Sequence, residues 1–181
     1  GSVGKPLIDT IVQIVDVKTG TKVLNIGSLG EIRVRGPQIM SGYRNRPIET
    51  AEALRDGWLY TGDIGELDDL GNLYIRDRKK DMVIVGGYNV YPREIDEVLF
   101  LHADVSEAAS VGVLDEYRGE VMCACVKLRK GSIVTSEDII TFCKEHLASY
   151  KVPIRIDILN EIPKTSVGKI DKATVKKLLN F

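Results

Sequence analysis

Long apolar runs, cysteine, histidine and an excess of either charge are all scarce in this sequence, and each shortage removes a class of function. No apolar stretch approaches the ~20 residues that a membrane-spanning helix needs. No secretory leader is visible, so a cytoplasmic location is the default expectation. The 25 basic and 26 acidic residues leave a net charge of −1, which gives no electrostatic basis for binding nucleic acid or an anionic membrane. His102 and His146 fall at no zinc-type spacing to Cys123, Cys125 and Cys143, so no metal site is expected. Cys123 and Cys125 lie in the apolar run 121–126 and, with Cys143, are read as buried free thiols. What is there is an ordinary globular mixture, 44 % apolar and 28 % charged, in 181 residues, enough for one medium domain or two small ones. The chain opens Gly-Ser without methionine, which suits an expressed fragment or a processed product.

The first 77 or so residues are patterned as β. Residues 11–16 make a strand closed by the turn Lys18-Thr19-Gly20-Thr21, and residues 31–35 alternate polar and apolar as a half-buried strand does. Pro47 suits the first position of a short helix that stops before the Asp56-Gly57 turn. Two strands, 63–67 and 72–76, flank the hairpin-type turn Asp68-Asp69-Leu70-Gly71. The run Arg78-Lys79-Lys80-Asp81 is too charged for a core and is read as a surface turn or linker between a first module, residues 1–79, and a second, residues 80–181. In the second module Pro92 opens a helix with Ile95, Val98 and Leu99 on one face. Strands follow at 109–114 and 121–128. Thr135 with Asp138 looks like a helix cap, and the helix behind it carries Ile139, Ile140, Cys143 and Leu147 on one stripe. A last strand at 154–159 and a last helix at 172–179 complete an α+β reading: a small β unit followed by an α+β unit.

Three segments are overbuilt for structure alone. In Tyr60-Thr61-Gly62-Asp63 a carboxylate in a glycine-containing turn can accept hydrogen bonds from both hydroxyls of a ribose, or be a solvated turn aspartate. In residues 77–92, Gly86-Gly87 lets a backbone pass close to a ligand or another strand, and Arg78 can reach a ribose or phosphate oxygen; a β-hairpin with a basic lead-in is the alternative. Residues 163–170 tempt a phosphate-loop reading, but Pro163 stands where the first glycine belongs and Ile170 where Ser or Thr belongs. What remains is Lys169 presented on a flexible loop.

In order and spacing these segments resemble the adenylate-forming superfamily of acyl-CoA synthetases, luciferases and peptide-synthetase adenylation domains. Gly30-Glu31-Ile32-Arg33-Val34-Arg35-Gly36 with Ser41-Gly42-Tyr43 looks like its sixth core motif, residues 60–63 the seventh and 77–97 the eighth. Leu147-Ala148-Ser149-Tyr150-Lys151-Val152-Pro153 is similar to the ninth and residues 163–170 to the tenth. The resemblance implies a small β-barrel-like subdomain, residues 1–79, ending a large N-terminal domain, then a mobile α+β C-terminal domain, residues 80–181. It implies that Asp63 holds the ATP ribose with Arg78 assisting, that Lys80 is the domain hinge, that Gly86 and Gly87 border the pantetheine arm of CoA, and that Lys169 is the adenylation lysine. Where many relatives carry arginine after the lysine, this chain has Ile170-Asp171-Lys172, so no role is assigned there.

ATP with Mg2+, CoA and a carboxylic acid are the implied substrates, with the N-terminal domain acting in cis. The family's glycine-rich phosphate loop, magnesium contacts and acyl pocket lie upstream, so these residues alone are expected to be inactive. The stretch Asp77-Arg78-Lys79-Lys80-Asp81-Met82 followed by Gly87-Tyr88-Asn89-Val90-Tyr91-Pro92 looks most like medium- and long-chain fatty acyl-CoA synthetases. An aryl-CoA ligase is the runner-up. A non-catalytic nucleotide- or partner-binding module is the alternative of another class, against which intact Asp63, Arg78 and Lys169 stand.

Overall fold

In the computed structural model, which describes residues 2–180, the elements up to Lys80 are strands with one short helix. They are β1 (Ile11–Val15), β2 (Gly30–Arg35), α1 (Pro47–Ala53), β3 (Leu54–Arg55), β4 (Trp58–Leu67) and β5 (Leu73–Arg78). All pairings are antiparallel, in the order β1-β2-β4-β3, with β5 also on β4. The buried apolar residues are Ile14, Val15, Ile32, Trp58, Tyr60 and Ile64. The buried Tyr60 hydroxyl is satisfied by donating to the Gly20 carbonyl at 2.8 Å.

One expectation is corrected in this unit. Residues 60–63 are not a turn ahead of a strand; they lie inside the ten-residue β4. Glu31 pairs with Ile64 and Arg33 with Tyr60, so Thr61, Gly62 and Asp63 face Ile32 alone. Such a bulge keeps the strand continuous while it bends and re-aims one side chain. Gly62, at φ +71°, supplies the left-handed conformation the bulge requires.

A one-turn 3-10 helix, Lys79–Asp81, spans the point where the chain divides into two compact units, between Lys80 and Asp81. The second unit contains β6 (Val83–Val85), β7 (Tyr88–Val90), α2 (Pro92–Leu101), β8 (Val105–Asp115), β9 (Gly119–Leu128), α3 (Ser136–His146), β10 (Arg155–Ile158) and α4 (Lys172–Leu179). Its sheet runs β10-β9-β6-β7, with β8 on the other edge of β9 and β10 parallel to it. The run 121–126 reads as continuously apolar because β9 is covered on both faces. Met122, Ala124 and Val126 pack with Ile95 and Leu99 of α2 and Ile139 and Cys143 of α3. Cys123 and Cys125 point the other way, against Val175 and Leu179 of α4. Each fully buried Leu or Ile in these layers contributes roughly 1.5–3 kcal/mol of transfer free energy.

The helices start where the sequence signals them. Pro92 takes the first turn of α2, where its missing N–H costs nothing. Thr135 Oγ1 accepts from the Asp138 N–H at 3.2 Å while the Asp138 carboxylate accepts from the Thr135 N–H at 3.0 Å, a reciprocal cap. The fold class is the α+β expected, and the sheets curl as half-barrels instead of closing.

Candidate functional site

The β4–β5 register sets Asp63 directly opposite Arg78, and Arg78 Nε lies 3.1 Å from Asp63 Oδ1. The bulge fixes the backbone at Asp63: its N–H donates to Thr61 Oγ1 at 3.1 Å, and that hydroxyl donates to the Ile32 carbonyl at 3.0 Å. The structure therefore brings together two of the residues singled out from sequence. The Arg78 side chain is 52 % exposed and that of Asp63 27 %, so both stay open to a ligand. In such a pair the carboxylate can accept from two hydroxyls while the guanidinium offers its remaining N–H donors to an anion.

Lys79, in the same charged run, is not simply a solvated lysine. Its ammonium lies 2.7 Å from Glu31 Oε2, whose side chain is only 4 % exposed. Nothing in the sequence advertised this pair, which joins residues 48 apart across β2 and the end of β5. It fastens the chain immediately before Lys80, which is itself exposed. Thr61, Gly62, Glu31, Lys79 and Lys80 line one side of an open groove of about 1440 Å³ in this unit.

In the second unit Gly86 and Gly87 form the two-residue turn between β6 and β7. Both have positive φ, +56° and +87°, the pairing a type I′ hairpin needs. A Cβ on either would meet nothing within 4 Å, so the demand for glycine here is conformational and the space beside the turn is open. Tyr88, the next residue, stacks on Tyr150 with ring centroids 4.5 Å apart, and Lys151 holds the Glu94 carboxylate at 2.6 and 2.8 Å. These two contacts tie residues 150 and 151 to the hairpin and to α2, respectively. Their only sequence signal was membership of the ninth motif.

Lys169 sits in a closed loop ahead of α4. Within it Thr165 N donates to the Lys169 carbonyl at 2.7 Å, Gly168 N to the Thr165 carbonyl at 2.9 Å and Asp171 N to the Pro163 carbonyl at 2.9 Å. The loop is thus more ordered than the flexible one expected. Lys169 is exposed and forms no ion pair among the described residues. Its ammonium is available to whatever anion the loop meets.

All three cysteines are buried free thiols. Burial pushes the Cys125 and Cys143 thiols up to about 11 and raises Cys123 as well, so none is a nucleophile at neutral pH. Among the described residues no group of three or more His, Cys, Asp or Glu side chains is placed to hold a metal ion.

Residues 94–169 match the AMP-binding enzyme C-terminal domain. The chain is 49 % identical over 170 residues to a long-chain-fatty-acid–CoA ligase of Bacillus subtilis, covering 94 % of this chain and 30 % of that protein. It is 45 % identical over 179 residues to a 2-succinylbenzoate–CoA ligase of a Geobacillus species, covering 99 % of this chain and 36 % of that protein. The ATP-bound crystal structure of MatB from Rhodopseudomonas palustris superposes with a TM-score of 0.91 at 34 % identity, over 98 % of this chain and 35 % of MatB. The chain thus spans about a third of the length of the relatives it matches. Built of a bulged β unit and a three-layer unit with a lysine loop, and matched in sequence over nearly all its length, this chain belongs to the adenylate-forming superfamily, with an AMP-binding C-terminal domain at residues 94–169.

Proposed function

We propose that the chain is the C-terminal portion of an ATP-dependent, AMP-forming acyl-CoA synthetase that joins a fatty acid to CoA through an acyl-adenylate. In the first half-reaction a carboxylate oxygen attacks the α-phosphorus of ATP and the bond to pyrophosphate breaks. In the second, the CoA thiol loses its proton, its sulfur attacks the acyl carbon, and the bond to AMP breaks. Asp63 accepts the ribose hydroxyls with Arg78 as the donor beside it. Lys169 stabilises the negative charge that gathers as carboxylate and α-phosphate meet. Lys80 is the hinge between an N-terminal domain ending with residues 1–79 and a C-terminal domain of residues 80–181, and the Gly86-Gly87 turn borders the pantetheine arm. The ligands of the magnesium ion that travels with ATP are assigned to the upstream part.

The setting of Lys169 carries this reading: an exposed, uncommitted ammonium on a hydrogen-bonded loop. ATP and CoA as substrates are supported by the two CoA ligases and by the ATP bound to MatB. A second reading, an aryl-CoA ligase, is favoured by the 2-succinylbenzoate–CoA ligase that matches 99 % of this chain.

The test joins this chain to the upstream part that its relatives possess and measures ATP–pyrophosphate exchange. Lys169→Ala should lower exchange by about 10³-fold or more, ~4 kcal/mol of transition-state stabilisation, while thioester formation from a preformed acyl-adenylate changes little. Equal losses in both half-reactions would show that the lysine acts structurally. A panel of fatty and aryl acids decides the acyl group.

A further inference from the structure

We propose that Glu107 is a positioning residue for Lys169: its carboxylate clamps Lys164 at the root of the loop and so fixes the hairpin that presents the Lys169 ammonium. The catalytic consequence rests on the adenylation role given to Lys169 above, whereas the clamp itself is a property of this chain.

Two lysines occupy the loop, and the structure treats them differently. Lys164 Nζ lies 2.7 Å from Glu107 Oε2, while Lys169 forms no ion pair among the described residues. Glu107 also faces Lys127, its register partner on β9, at 3.4 Å. Its placement has a local cause. The β8–β9 register shifts between Val105 and Glu107, and the Ser106 hydroxyl donates to the Lys127 carbonyl at 2.9 Å. This bulge aims the Glu107 side chain at the loop. The hydrogen bond from Lys164, reinforced by Lys127, holds the Glu107 carboxyl below the usual carboxylate range, so the clamp stays charged at neutral pH.

The other side of the loop is held by packing. Lys164 bridges to Ile170, which packs with buried Ile162 against the apolar cluster under α4. Asp171 caps α4 by accepting from the Thr174 N–H at 3.2 Å. Without the ion pair the loop keeps its own backbone hydrogen bonds and the Ile162, Ile170 and Asp171 anchors, but the charged tie from its root to β8 is gone. Partly exposed ion pairs add little to global stability. The clamp therefore acts on the order of a short loop, and small misplacements of a catalytic group are costly.

The experiment compares wild type with Glu107→Gln, Lys164→Met and Lys164→Arg. In the 181-residue chain, amide order parameters of residues 165–169 should fall from roughly 0.85 toward 0.6 in the first two variants, with β8 and β9 unchanged, and recover in Lys164→Arg. In the chain joined to its upstream part, the same two variants should lower kcat for pyrophosphate exchange about fivefold or more, leave KM for ATP within about twofold, and spare thioester formation. Unchanged loop order in a folded variant overturns the clamp. Lost order with wild-type exchange overturns its role in positioning. If Lys169→Ala itself leaves exchange intact, the adenylation role fails, and the order parameters still decide the clamp. Lys164 lies outside the named strands, so Lys164→Met keeps the test open if Glu107→Gln fails to fold.

Discussion

Replacing Lys79 with methionine isolates the contribution of its pair with Glu31. The side-chain stem is kept and the charge is lost, leaving a carboxylate with 4 % exposure and no ammonium. Removing one partner of a fully buried ion pair costs ~3–5 kcal/mol, because the remaining charge is stranded. Here Lys79 is 36 % exposed, so water can partly replace it, and the discounted cost is about 2 kcal/mol. Trp58, the only tryptophan, is buried beside Val15 and Tyr60 in the first unit, so its fluorescence reports that unit alone. With a urea dependence of about 1 kcal/mol/M for a unit this small, the Trp58 transition should move down by about 2 M. Adding Glu31→Gln to Lys79→Met removes the stranded charge and should recover at least half of that loss. A shift no larger than that of a Lys22→Met control would refute the reasoning and return Lys79 to the status of a surface lysine.

The hinge assignment predicts that Lys80→Pro, in the chain joined to its upstream part, supports one half-reaction and loses the other, while Lys80→Ala supports both. Proline fixes φ near −65°, within the range of the 3-10 turn that Lys80 occupies, and restricts Lys79 as well. A folded proline variant that runs both half-reactions at wild-type rates would refute it. The buried thiols predict no reaction of the native chain with an aromatic disulfide at pH 8, and three equivalents released after unfolding. Because burial raises the folded-state values from 9.0 to about 11 for Cys125 and Cys143, the thiols favour the fold below about pH 9, and stability should decline as pH rises from about 9 to 11. A flat unfolding midpoint across that range would show that the thiols ionise freely in the native state.

Much of the second unit was legible because periodicity and end signals agree. Pro92, the Thr135–Asp138 cap and the stripes of α2 and α3 each have a local cause, and α4 falls on residues 172–179 as expected. Strand positions were found more reliably than strand ends: residues 11–16 and 154–159 overrun β1 and β10 by a residue at one end or both, β4 and β8 were read short, and β3 was missed. β8 begins at Val105 and not near residue 109, because pairing with β9 runs on through the polar residues Ser106 and Glu107, which hid it. Residues 60–63 were read as a turn because glycine next to aspartate usually marks one, and only the offset pairing with β2 turns them into a bulge. The named residues Asp63, Arg78, Gly86, Gly87 and Lys169 came from motif order. Their supports did not: Glu31 for Lys79, Tyr150 for Tyr88 and Glu107 for Lys164 lie 48, 62 and 57 residues from their partners. Such contacts depend on strand register, which no local pattern encodes.

Among the described residues β10 is the single parallel strand of its sheet, and it closes the edge of β9 along Cys123, Ala124, Cys125 and Val126. The residues from 155 onward, the lysine loop and α4 included, are synthesised after β9 and complete its unit by pairing and packing on it. A product terminated just before β10 would present an uncapped apolar strand, with two thiols bared where α4 should lie. The segment that carries the lysine loop is thus also the wrapper of its unit, covering an apolar strand edge and two oxidisable thiols.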